Sequence, residues 1–89
     1  MENSTEDPLV VSSIKALLEQ FDQTVLNGRQ LVSAIENAVR SEADRNLYIA
    51  DNDSKMFLDV IEGEDSVIAS IELTAFQAET LSACGVEEV

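Results

Sequence analysis

Residues 46–73 read NLYIADNDSKMFLDVIEGEDSVIASIEL, and this stretch decides the fold. Its apolar residues recur at every second position, the period of a strand with one buried face. Leu47 and Ile49 alternate with Tyr48. Met56, Leu58 and Val60 alternate with Phe57, Asp59 and Ile61. Val67, Ala69, Ile71 and Leu73 alternate with Ile68, Ser70 and Glu72. Two breaks divide the run. Asp51-Asn52-Asp53-Ser54 and Glu62-Gly63-Glu64-Asp65 are rich in side chains that bond their own backbone, and they read as tight turns. The pattern predicts three strands over 46–51, 55–62 and 66–73. Connections this short make neighbouring strands antiparallel.

On both sides of this stretch the period lengthens to that of a helix. Upstream, Val10, Ile14, Leu17, Leu18, Phe21 and Val25 follow one helical face, with Ser12, Lys15, Glu19 and Asp22 opposite. Asp7 suits the N-cap, Pro8 the first helical position, and Asn27-Gly28 a left-handed end. A second helix is predicted over 29–44, with Leu31, Ala34, Ile35, Ala38 and Val39 on its stripe, folded back on the first as a hairpin. Downstream, Thr74 and Gln77 have the spacing of a capping box, and Gly85 suits the end of a third helix, with Val86 as its apolar contact. Phe76, Leu81 and Cys84 are expected near one face of that helix, and Phe21, Phe57 and Phe76 to meet in the core. The expectation is an α+β fold of order ααβββα. It forms one domain over 8–89, preceded by a disordered acidic tail over 1–7 and closed by a solvated end at Glu87-Glu88-Val89.

Composition narrows the function. The 89 residues carry 18 acids, five bases and no histidine, a net charge of −13. All five bases (Lys15, Arg29, Arg40, Arg45, Lys55) precede residue 56, and eight acids follow it. Such a surface repels phosphate, which argues against direct binding to nucleic acid or to an anionic membrane and favours a basic partner protein. Nothing in the chain resembles a signal peptide or a membrane span. Cys84 is the only cysteine, so no internal disulfide forms, and a reducing cytoplasm is the expected location.

Catalysis by the common routes lacks its parts, and the sequence predicts a protein that is not an enzyme. Without histidine there is no Ser-His-Asp or Cys-His arrangement and no zinc site of Cys and His ligands. The three glycines are isolated, so no phosphate-binding loop is present. Asp51, Asp53, Lys55, Phe57, Asp59 and Glu62 match the ligand spacing of an EF-hand loop. Lys55 would repel the ion, and Met56 stands where the tight turn needs glycine, so a hairpin is the better reading. No metal or cofactor is expected.

Two functions remain. One is a regulator that occupies a basic, nucleic-acid-binding surface of a partner, with carboxylates standing in for phosphates. Phage-encoded anti-restriction and anti-CRISPR inhibitors share this size, charge and class, although no motif of such a family is matched here. The candidate partner-binding residues are Asp59, Glu62, Glu64, Asp65 and Glu72, around the second turn. The alternative is a structural or accessory protein, either a homodimer through an apolar second sheet face marked by Ile61 and Ile68, or an acidic secretion or assembly chaperone.

Overall fold

The computed structural model describes residues 7–39, 44–64 and 66–88. The tail expected over 1–7 lies outside these except for Asp7, which starts the fold. The Asp7 carboxylate accepts from the amides of Leu9 (3.0 Å) and Val10 (3.4 Å), and Pro8 opens helix α1 (Pro8–Asp22). Burial falls on Val10, Ile14, Leu18 and Phe21, with Leu17 packed at the margin. That spacing is the stripe read from the sequence.

The helix ends earlier than the Asn27-Gly28 pair suggested. Thr24 is the left-handed residue (φ 61°). Its amide donates to the Phe21 carbonyl, and the Val25 amide donates to the Gln20 carbonyl. This is a Schellman ending with threonine where glycine is usual. Val25 is left exposed instead of continuing the buried stripe. Asn27 then caps helix α2 (Gly28–Val39), exchanging hydrogen bonds with Gln30 at 2.9 Å each way. Gly28 is therefore a first-turn residue. Its lack of a side chain matters for packing: a Cβ there would lie 2.7 Å from Thr80 Cγ2 and 3.1 Å from Cys84 Sγ on the third helix. α2 was expected to reach residue 44. It is helical to Val39, residues 40–43 lie outside the described set, and Asp44 is not helical.

The strands are β1 (Arg45–Asn52), β2 (Lys55–Glu62) and β3 (Ser66–Leu73), paired antiparallel as a meander. The first turn is tighter than the sequence suggested. Asn52 pairs with Lys55, and the two linking residues Asp53 and Ser54 are both left-handed (φ 59° and 67°), the two-residue hairpin that follows strand twist. This hairpin occupies the segment with EF-hand spacing.

One register shift sits between Val60 and Ile61. Val60 faces Ala69 but Ile61 faces Val67, so Ile68 has no partner position on β2. Such a bulge turns two successive side chains of β3 out of strict alternation. Ile68 and Ala69 are both buried, at 4% and 1% exposure, while Val67 is 42% exposed. The inward residues are therefore Ile68, Ala69, Ile71 and Leu73. The expected placement of Val67 inward and Ile68 outward is corrected.

Helix α3 (Ala75–Ala83) starts with the capping box read from the sequence: Gln77 N donates to Thr74 Oγ1 at 3.1 Å, and Thr74 N donates to Gln77 Oε1 at 2.9 Å. Its buried face is Gln77, Ala78 and Leu81, not Phe76, which is 65% exposed and stacks on Phe21 with ring centroids 5.6 Å apart. The helix ends in a second Schellman arrangement, with Gly85 at φ 107° and the Val86 amide donating to the Leu81 carbonyl at 3.0 Å. Val86 is buried, and this anchor returns the chain alongside β1. Glu87 and Glu88 pair parallel to Tyr48 and Ile49 as a short β4 (Glu87–Glu88). The sheet is thus four-stranded and mixed, in the order β3-β2-β1-β4, rather than three-stranded and antiparallel.

The architecture is two layers. The buried residues of all three helices form one cluster with Ile49, Leu58, Val60, Ile68, Ala69, Ile71 and Leu73. Tyr48, Phe57 and Ile61 are not part of it. No helix among the described residues is long and apolar enough to cross a membrane.

Candidate functional site: the uncovered face of the sheet

Strand pairing arranges the second face of the sheet in rows. The central row runs Glu87, Tyr48, Asp59, Ser70 across β4, β1, β2 and β3. On one side lie Ala50, Phe57 and Glu72, and on the other Asn46, Ile61 and Val67. Tyr48, Ala50, Phe57, Asp59 and Ile61 are half-buried, and Val67, Ser70, Glu72 and Glu87 are exposed. Facing side chains on adjacent strands stand about 5 Å apart at Cβ, so each row is a line of contacts. The face is an apolar patch with carboxylates inside it and at both edges.

The candidate residues divide between the two sides of the sheet. Asp59 sits at the centre of the uncovered face, and its Oδ1 accepts from Ser70 Oγ at 2.7 Å. Glu72 lies on the same face and meets Lys55 Nζ at 4.0 Å, an exposed pair. Ile61 joins them. Glu62 does not, because it alternates onto the side of Leu58 and Val60, where its Oε2 accepts from Arg45 Nε at 3.1 Å. Glu64 is exposed in the second turn, and Asp65 lies outside the described residues. Ile68 belongs to the core. The apolar position that it was expected to fill is held by Val67, and the signal was present in the sequence: Val67-Ile68-Ala69 is a run of three apolar residues, which strict alternation does not allow.

Arg45 shows why the acidic surface carries so little compensation. Its side chain is 16% exposed and reaches three elements: Glu62 on β2, the Val39 carbonyl at the end of α2 (3.0 Å), and Asp7 at the start of α1 (3.9 Å). It works as an internal clamp. Lys55 is engaged by Glu72, and the other described bases, Lys15 and Arg29, belong to α1 and α2, in the opposite layer.

Elsewhere, a cleft of about 590 Å³ opens between α2, the start of β1 and β4, lined among others by Val32, Val39, Leu47, Glu36, Asp44 and Glu87. Cys84 lines this cleft and packs against the core. Among the described residues no group of three acids, cysteines or histidines is placed to hold a metal ion. No family model, curated protein or solved structure matches the chain.

Proposed function

We propose that this is a non-catalytic binding protein that covers a basic, nucleic-acid-binding surface of a partner protein, using the uncovered face of its sheet. The observation that carries this reading is the segregation of charge. The bases near the sheet are spent internally or paired, while Asp59, Glu72 and Glu87 share a face that no described helix covers. Carboxylates on rigid strands keep fixed spacings, so they can replace phosphates against a row of lysines and arginines, and their long-range field speeds encounter. Half-buried Tyr48, Phe57 and Ile61 add apolar area that a purely electrostatic surface would lack. The action is cytoplasmic, in the host cell if the protein is phage-encoded in the manner of an anti-restriction or anti-CRISPR inhibitor.

The homodimer alternative uses the same face and meets an obstacle there. A two-fold axis through the patch would bring the two copies of Asp59 close together, at the centre, where burial strengthens like-charge repulsion. The deciding experiment is affinity capture on the intact protein, followed by competition of the captured partner with duplex DNA and RNA. The expected partner binds nucleic acid, and nucleic acid displaces this protein from it. The complex should also weaken steeply with salt, mainly through slower association. A partner that stays bound in about 0.5 M salt and holds nucleic acid at the same time would overturn the proposal.

A further inference from the structure

The chemistry of the central row narrows the partner group that this face accepts. Asp59 is flanked on its own strand by Phe57 and Ile61 and faces Tyr48 on β1. Same-face neighbours along a strand lie about 6.7 Å apart, so the carboxylate has one aromatic residue beside it along β2, Phe57, and another opposite it on β1, Tyr48. Ser70 occupies one carboxylate oxygen, Oδ1, and so fixes the group's orientation. Among the described residues no base pairs with Asp59; Lys55, the base at the end of the same strand, meets Glu72 instead. Glu87 faces Tyr48 from the other side.

We infer that Asp59, Tyr48 and Phe57 form a receptor for an arginine side chain of the partner protein. This rests on the proposed binding reading and specifies it. A guanidinium is planar and stacks on aromatic rings while its N–H fork bonds a carboxylate. It is also less strongly hydrated than an ammonium, so it loses less on entering a half-buried apolar patch. Lysine offers a compact charge with neither stacking nor fork geometry. Phosphate groups are repelled by charge sign, and a second copy of this chain is disfavoured by its net charge of −13. An arginine-bearing segment of a protein is the occupant that meets the ring faces and the carboxylate together.

The test uses the full chain, isotope-labelled for NMR, with two glycine-spaced peptides of equal length and charge, one of arginine and one of lysine. The arginine peptide should bind several-fold more tightly and shift the resonances of Tyr48, Phe57 and Asp59 first. Asp59→Asn keeps an oxygen for Ser70 but removes the charge, and should weaken arginine binding by about 10-fold. The double variant Glu36→Gln/Glu79→Gln removes two charges from the helical layer and should change affinity less than the single change at Asp59. Phe57→Leu retains apolar volume, and should narrow the arginine-over-lysine preference while the spectrum stays folded. Equal binding of both peptides, with the helical double variant more harmful than Asp59→Asn, would overturn the arginine receptor and leave the basic-partner reading standing. Failure of both peptides to bind at low salt would overturn both.

Discussion

Thr24 and Gly28 have exchanged the roles that their chemistry suggests. The left-handed position that ends α1 is filled by a β-branched residue, which costs about 1–2 kcal/mol there relative to glycine. The glycine four residues later is needed for the close approach of α2 to Thr80 and Cys84. Two substitutions therefore act in opposite directions. Thr24→Gly should raise stability by about 1 kcal/mol, offset in part by the added freedom of the unfolded chain. Gly28→Ala should lower it by about 1–3 kcal/mol through overpacking, and Thr80→Ser, which removes the methyl in the way, should restore most of that loss. Urea unfolding of the three variants measures these effects. A neutral Gly28→Ala would mean that α2 and α3 are not in the close contact described. Polar residues at this scale are tightly committed as well. Gln77 is buried and donates to both carboxylate oxygens of Asp22 at 3.0 Å while its own carbonyl caps α3.

At the scale of the element, the bulge in β3 separates a strand that reads as regular from one that is not. Val67 and Ile68 are adjacent apolar residues with opposite fates, and a carboxylate at each position distinguishes them. Ile68→Glu would bury a charge among the helices and should cost more than about 3 kcal/mol, a large share of the roughly 5–15 kcal/mol that keeps a domain folded. Val67→Glu should cost about 1 kcal/mol or less, because the side chain already meets solvent. Circular dichroism melts of the two proteins decide the register, and the opposite ranking would restore strict alternation. Charge reversals meant to probe binding have to respect the same distinction. Reversal at Glu62 or Asp7 removes an Arg45 contact and, at Asp7, the cap of α1, so loss of binding there would report on folding as well. Asp59 and Glu72 are the cleaner positions.

For the whole molecule the governing quantity is the net charge of −13. Like charges on a small domain repel and favour expansion, and salt screens that repulsion over roughly 8 Å at physiological strength. Raising sodium chloride from near zero to about 0.5 M should therefore increase stability by about 1 kcal/mol, or about 4–8 °C in melting temperature for a domain of this size. Magnesium and calcium at matched ionic strength should give equal shifts, because the segment with EF-hand spacing is a two-residue hairpin with Lys55 beside it. A calcium-specific rise in the scanning-calorimetry melting temperature would sink that expectation. The same experiment bears on function, since salt that strengthens the fold should weaken the complex, and the two effects are separable by sign.

What the sequence determined by itself was the type and order of the elements. Period-two alternation placed β2 and β3 at their observed ends, Asp7 and Pro8 placed the start of α1, and Thr74 with Gln77 placed the start of α3, because each of these signals is local. Only the tertiary structure decided where alternation fails and which side a residue faces. A bulge is a property of two paired strands, so Ile68 looked like a surface residue until β2 was set beside it. β4 is two glutamates with no pattern of their own, held beside β1 by the anchoring of Val86. Phe21, Phe57 and Phe76 read as one aromatic core, yet only Phe21 is buried among them, because Phe57 alternates onto the uncovered face of the sheet and Phe76 stacks on Phe21 from the solvent side. Of the candidate site, Asp59, Ile61 and Glu72 follow from alternation along one strand and its neighbour. Alternation also puts Glu62 on the opposite side, but its pairing with Arg45 was not legible, since it joins residues 17 positions apart at the far end of the β1–β2 ladder, in a register set by a tighter turn than the sequence suggested.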